Sequence, residues 1–149
     1  MLRPLEPHEL NLCLRGGELF FNEGALPGAF NPHAFIEKMS HLIKLDVASV
    51  IGAFDKHGTI QGAIAFSVYD DIYTGEKTAT EMWWFVLPEH RGGATAMRLL
   101  REFERNAKER GCKRACMVHL TAINSDTLSA LYRRLDYKHI ESCYAKTLH

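Results

Sequence analysis

Residues 77 to 111 constrain the fold more than any other stretch of this 149-residue chain. Lys77 to Val86 has the pattern of a strand that ends in an apolar, aromatic run, Met82-Trp83-Trp84-Phe85-Val86. Pro88 stops it, and Arg91-Gly92-Gly93 follow. From Ala94 a helix is predicted: Ala96, Leu99, Leu100, Phe103 and Ala107 recur at helical spacing against Arg98, Arg101, Glu102, Arg105 and Lys108. Glu104 and Lys108 form an i,i+4 pair on paper, and Gly111 is a natural C-terminal stop. Strand, small-residue turn and helix together aim several backbone N–H groups at one point. The first four amides of a helix lack internal partners, and the dipole adds partial positive charge there. The block therefore predicts a phosphate-bearing ligand at the turn. An ordinary strand–helix turn would also use glycines for close packing, so the reading needs context.

The rest of the chain supplies it. Hydrophobic residues make up 46% and charged residues 24%, the balance of a globular domain. Residues 1–149 are expected to form a single domain. The formal net charge is zero, which argues against a nucleic-acid partner. No apolar run approaches a membrane span and no signal-peptide core is evident, so a cytoplasmic protein with no membrane partner is expected. Cys13, Cys112, Cys116 and Cys143 are too scattered for a disulfide framework. Cys112, Cys116 and His119 lack an obvious fourth partner for zinc, and no metal is expected.

Along the chain, Glu6 to Phe21 reads as a first helix, weakened by Gly16-Gly17. Asn31 caps a second helix that begins at Pro32, with Phe35, Ile36, Met39, Leu42 and Ile43 as its apolar stripe. Val47 to Phe54 and Ile60 to Tyr69 are antiparallel strands around the Lys56–Thr59 turn. Leu2 to Leu5 is a candidate first strand. Cys116 to Leu120 reads as a short buried strand, Ser125 to Leu135 as a last helix, and Tyr137 to Lys146 as a final strand or hairpin. Strand–helix–strand after the turn implies a parallel pair, whereas the earlier hairpins are antiparallel. The fold class is α/β in the mixed sense: a central, mostly antiparallel mixed sheet flanked by helices.

The turn is no P-loop, since no Gly-Lys-Ser/Thr follows, and no Gly-x-Gly-x-x-Gly is present. Val86, Pro88, Arg91, Ala94 and Ala96 instead resemble the acyl-CoA pyrophosphate loop of the GNAT superfamily of N-acyltransferases, with Ala94 where glycine is usual. Asn124 to Tyr137 is similar to a second family segment, with Leu131-Tyr132 and Tyr137 in the expected spacing. Asp136 replaces its glycine, and Asn124 lies one residue out of register, with Ser125 at the strict position. The resemblance covers residues 47 to 145 and implies the GNAT fold. It also implies acetyl-CoA as cosubstrate, with Phe85, Val86, Arg91, Gly92, Gly93, Ala94, Thr95, Ala96 and Asn124 as binding residues. The acceptor implied is an amine on a small molecule or a protein, acetylated directly in a ternary complex.

Glu81 is the candidate general base, acting through a water if burial raises its pKa; a solvated strand start is the alternative. Tyr132 is the candidate general acid for the leaving thiolate, set against a plain half-buried helix aromatic. Val86, beside Phe85, matches the family position whose N–H faces the thioester oxygen. One of Trp83 and Trp84 is expected in the core and the other beside the acceptor, because neighbours on a strand face opposite ways. The Asn22–Asn31 loop holds a single carboxylate, Glu23, and so does not signal a polycationic acceptor. His33 and His41 on the second helix are candidates to touch substrate, set against the commoner reading as surface residues. The style of residues 81 to 110 looks like small acyltransferases of phage and prophage genomes. The rival class is a non-catalytic acyl-CoA-binding or regulatory domain; a third reading is a homodimeric assembly subunit.

Overall fold

A computed structural model describes residues 1–123 and 126–149 in full and Ser125 by its backbone. Five strands form one sheet in chain order: β1 (Leu2–Pro4), β2 (Ala48–Phe54), β3 (Ile60–Asp70), β4 (Lys77–Val86) and β5 (Arg114–Cys116). The first three junctions are antiparallel, and β4 and β5 run parallel. The helices are α1 (Leu14–Glu23), α2 (Pro32–Lys44), α3 (Thr95–Glu109) and α4 (Ser125–Arg134). This is the mixed sheet expected from the pattern.

Strand alternation sends successive side chains to opposite faces, and here both faces are covered. One core holds Val50, Ala63, Ala65, Trp83 and Phe85 under Leu10, Phe35 and Met39 from the N-terminal segment and α2. The other holds Ile51, Ile64, Phe66 and Ala79 under Leu99, Leu100, Phe103 and Ala107, the predicted stripe of α3. Gly111, at φ +80°, follows that helix, as a C-terminal glycine should. The Asn31 cap is also in place, with its Oδ1 accepting from the Ala34 N–H at 3.0 Å.

The two glycines that weakened the first helix have a packing reason. A Cβ on Gly16 would lie 2.0 Å from the Phe85 ring, and one on Gly17 would lie 2.8 Å from the Phe35 ring. The helix backbone itself is the surface on which these rings rest. The predicted single helix is divided, with a 3-10 segment at Pro7–Cys13 preceding α1.

Three further expectations need correction. β5 ends at Cys116, so Met117–Leu120 carry strand-like apolarity without a ladder. Residues 137–149 form no strand and are mostly exposed, because the three-residue β5 offers too short an edge to template one. Glu104 accepts from the Tyr137 hydroxyl at 2.8 Å and makes no ion pair with Lys108 within 4 Å. Among the described residues, no helix is long and apolar enough to cross a membrane.

Candidate active site

The site is built where β4 loses one of its neighbours. β4 pairs with β5 only through Thr78, Ala79 and Thr80, opposite Arg114, Ala115 and Cys116. One residue later the ladder with β3 is interrupted: Ala65 faces Trp83 and Phe66 faces Glu81, leaving Met82 as the extra residue of a bulge. From Glu81 to Val86 the strand keeps β3 on one side and has no ladder to β5 on the other. β5 ends while β4 runs on, and the irregular Met117–Leu120 segment that follows is tied at Val118 to Glu81 of β4 and to Tyr132 of α4.

Glu81 stands at the point of separation. It is only 3% exposed. Its Oε2 accepts from the Val118 N–H at 3.0 Å, and its Oε1 has no hydrogen-bond partner. A carboxylate so placed is poorly solvated, and burial pushes its pKa up to about 8, against the lowering effect of the Val118 N–H. Tyr132 comes in from α4, nearly buried, and its hydroxyl donates to the Val118 carbonyl at 3.4 Å. Val118 thus binds Glu81 through its N–H and Tyr132 through its C=O. Burial, then the nearby Glu81, raise the Tyr132 pKa above its ordinary value, so the phenol keeps its proton. Side-chain patterns carry no signal for Val118, because its backbone does the work.

The turn after β4 is equally open. Gly92 is at φ +87°, a conformation in which a side chain is strained. A Cβ on Gly93 would meet nothing within 4 Å. Ala94 is the N-cap of α3 and has no side chain to satisfy the amides of Thr95, Ala96 and the residue beyond. These are uncapped donors at the positive end of a fifteen-residue helix. Arg91 is turned away from them. Its Nε donates to the Val86 carbonyl at 2.8 Å, and its Nη2 meets both carboxylate oxygens of Glu23 at 3.0 and 3.1 Å. A second ion pair, Arg15 Nη2 to Glu89 Oε2 at 2.9 Å, also ties α1 to this loop. Phe85 is buried on Gly16, while Val86 packs toward α3. The two tryptophans do face opposite cores, and each has a buried indole N–H without a partner. Asn124 lies outside the described residues.

The family profile described as "Acetyltransferase (GNAT) family" matches residues 21–137. The chain belongs to the GNAT acetyltransferase family. It is therefore an N-acetyltransferase by family, and its sheet is the GNAT sheet. Among solved structures it is similar to a predicted acetyltransferase with acetyl-CoA from Clostridium acetobutylicum, at 16% identity and TM-score 0.76, covering 99% of this chain and 95% of that one. It is also similar to a ribosomal-protein-alanine N-acetyltransferase from Brucella melitensis biovar Abortus 2308, at 17% identity and TM-score 0.71, covering 99% of each. A third is an aminoglycoside antibiotic 6'-N-acetyltransferase from Acinetobacter haemolyticus, at 18% and 0.72, covering 100% of this chain and 99% of that one. At such identities the likeness is one of fold. No curated protein sequence matches significantly.

Proposed function

We propose that the chain transfers an acetyl group from acetyl-CoA directly to a primary amine of a small molecule or a protein, in a ternary complex. The observation that carries this reading is the opening between β4 and β5. It sets a buried carboxyl and a protonated phenol on either side of one peptide, Val118. The uncapped start of α3 lies at the far end of the same open strand.

Acetyl-CoA is the substrate that suits these parts. Its pyrophosphate needs clustered donors, which the amides from Gly92 to Ala96 supply, and the clear space around Gly93 lets an anion approach the backbone. The freed edge of β4 at Phe85 and Val86 offers main-chain groups to an extended arm. At the reacting end, Glu81 takes the proton of the incoming ammonium through a water, and the amine nitrogen attacks the thioester carbonyl. The carbon–sulfur bond breaks, Tyr132 gives its proton to the leaving thiolate, and the second proton shed by the new amide nitrogen returns through water to Tyr132. The two groups bound the working pH from opposite sides: Glu81 must be ionised, which needs a pH toward or above its pKa, and Tyr132 must keep its proton, which its raised pKa secures. With Glu81 near 8, the ionised fraction grows through neutrality.

The test is thiol release from acetyl-CoA across a panel of primary amines and amine-terminated peptides, with the product confirmed by intact mass. Turnover with at least one amine supports the reading. Tight acetyl-CoA binding with no turnover on any of them favours a binding or regulatory domain instead. Gly93→Val is the control for the nucleotide site. It meets no fold contact, so the apo melting temperature should hold while the stabilisation by acetyl-CoA disappears.

A further inference from the structure

At the end of the sheet opposite the turn after β4, a knob and a hollow lie side by side. The knob is the turn between β3 and β4. Ile72 and Tyr73 stand on it at 87% and 90% exposure. The turn is held firmly. Asp71 Oδ1 accepts from the N–H groups of Tyr73 and Thr74 at 3.0 and 2.9 Å and from the Thr74 hydroxyl at 3.1 Å. The Gly75 N–H closes on the Asp71 carbonyl at 2.7 Å. Two large apolar side chains are thus fixed in water, where burial against a partner would be favourable.

The hollow, of about 560 Å³, lies between the end of α3 and the start of β5. Ala107, Cys112 and Ala115 give it an apolar lining, and Lys108, Lys113 and Arg114 make its rim basic. The carboxyl that reaches it, Glu104, is engaged by the Tyr137 hydroxyl. The knob carries the opposite sign, with Asp70, Asp71 and Glu76 around Ile72 and Tyr73. Asp70 faces Lys77 at 3.5 Å in an exposed, screened setting, and Asp71, largely covered and engaged in its own turn, faces Arg114 of its own chain at 3.9 Å. Knob and hollow are neighbours, since the Lys113 N–H donates to the Lys77 carbonyl at 2.8 Å. A protrusion beside its own complement is a self-complementary patch, the condition for a twofold interface.

We propose that the chain forms a symmetric homodimer in which Ile72 and Tyr73 of each copy enter the hollow between α3 and β5 of the other. Asp70 and Glu76 then face Lys108 and Lys113 across the interface. Tyrosine suits such a role, because it buries a large ring and keeps a polar tip at the rim. Four residues of β4, from Lys77 to Glu81, set this end roughly 13 Å from the reacting groups at 3.3 Å per residue, and the nucleotide turn lies beyond them at the other end of the strand.

Sedimentation velocity on the full chain tests this. The wild type should sediment at twice the 16.9 kDa chain mass. The double variant Ile72→Ser/Tyr73→Ser should be monomeric, with its melting temperature in dilute solution and its acetyl-CoA stabilisation unchanged. The charges give a second test. Lys108→Glu/Lys113→Glu and Asp70→Lys/Glu76→Lys should each be monomeric alone. Mixed one to one they should pair, because both knob–hollow contacts of the mixed dimer regain opposite signs. A wild type that stays monomeric into the hundred-micromolar range overturns the proposal and leaves the hollow to the chain's own residues 138–149. A dimer that survives Ile72→Ser/Tyr73→Ser, or charge-reversed chains that fail to associate on mixing, overturns it as well.

Discussion

β4 is two strands in one. From Thr78 to Thr80 it has ladders on both sides, and Thr78 and Ala79 are buried. From Glu81 to Val86 it has a ladder on one side. Three of the four buried side-chain atoms without hydrogen-bond partners among the described residues belong to that second half: Glu81 Oε1, Trp83 Nε1 and Trp84 Nε1. The fourth, His119 Nε2, is on the segment across the gap. Buried polar atoms without partners are costly, and native proteins keep them few. Their concentration beside the missing ladder separates the two halves, since the closed half has its polar atoms satisfied. The open half carries the unpartnered ones.

Four substitutions would break or sharpen this contrast. The largest effect is expected at Tyr132→Phe, which keeps the ring and removes the proton donor. Turnover should fall by about tenfold to a thousandfold, with folding and acetyl-CoA binding retained. Full turnover under conditions where chemistry limits the rate would make the hydroxyl structural.

Next comes Ala79→Leu in the closed half. Three added carbons in a fully buried place beneath α3 should cost about 1–3 kcal/mol of stability, read by denaturant melts. Turnover per folded molecule should stay the same. A selective loss of turnover there would erase the distinction between the two halves.

Glu81→Gln should act through pH. The folded pKa is raised, so the contribution of Glu81 to stability is complete below the ordinary carboxylate range. It is lost as pH rises through about 8. The wild type should therefore lose on the order of a few kcal/mol between pH 5 and 9, and the variant should lack that share of the slope. The rise in rate toward pH 8 should vanish with it. Parallel profiles for the two proteins would assign the proton transfer to another group.

The smallest effect is expected at Glu23→Gln. The pair with Arg91 is exposed, so stability should change by less than about 1 kcal/mol. Freed of its partner, Arg91 should strengthen acetyl-CoA binding modestly and make it more sensitive to salt, as titration calorimetry can show.

Much of the scaffold could be read in advance, because periodicity and punctuation agree there. β4 spans Lys77–Val86 as its pattern states, and Asn31 and Gly111 mark helix ends where cap chemistry requires them. The failures share a cause, which is that pairing is not written in one segment. Met117–Leu120 has the composition of a strand and no ladder, since its neighbour bends away at Met82. Gly16 and Gly17 look like helix breakers until the rings of Phe85 and Phe35 are set on them. For the candidate site, sequence points to Glu81 and Tyr132 through a family spacing. The Val118 peptide between them and the turn of Arg91 toward Glu23 depend on contacts across the chain.

Met82 has a consequence beyond opening the site. Before it, the odd-numbered Ala79 faces the α3 core; after it, the odd-numbered Trp83 and Phe85 face the α1 and α2 side, with the even-numbered Trp84 and Val86 toward α3. The strand thus changes phase midway, like a code whose reading frame slips by one letter. Pairing Met82 into the ladder would turn Trp83 and Phe85 into the wrong core and lift the Phe85 ring from Gly16, whereas deleting it would keep Trp83 opposite Ala65 and remove only the bulge. Any graft of β4 into another scaffold must therefore carry the slip, or its second half will be read inside out.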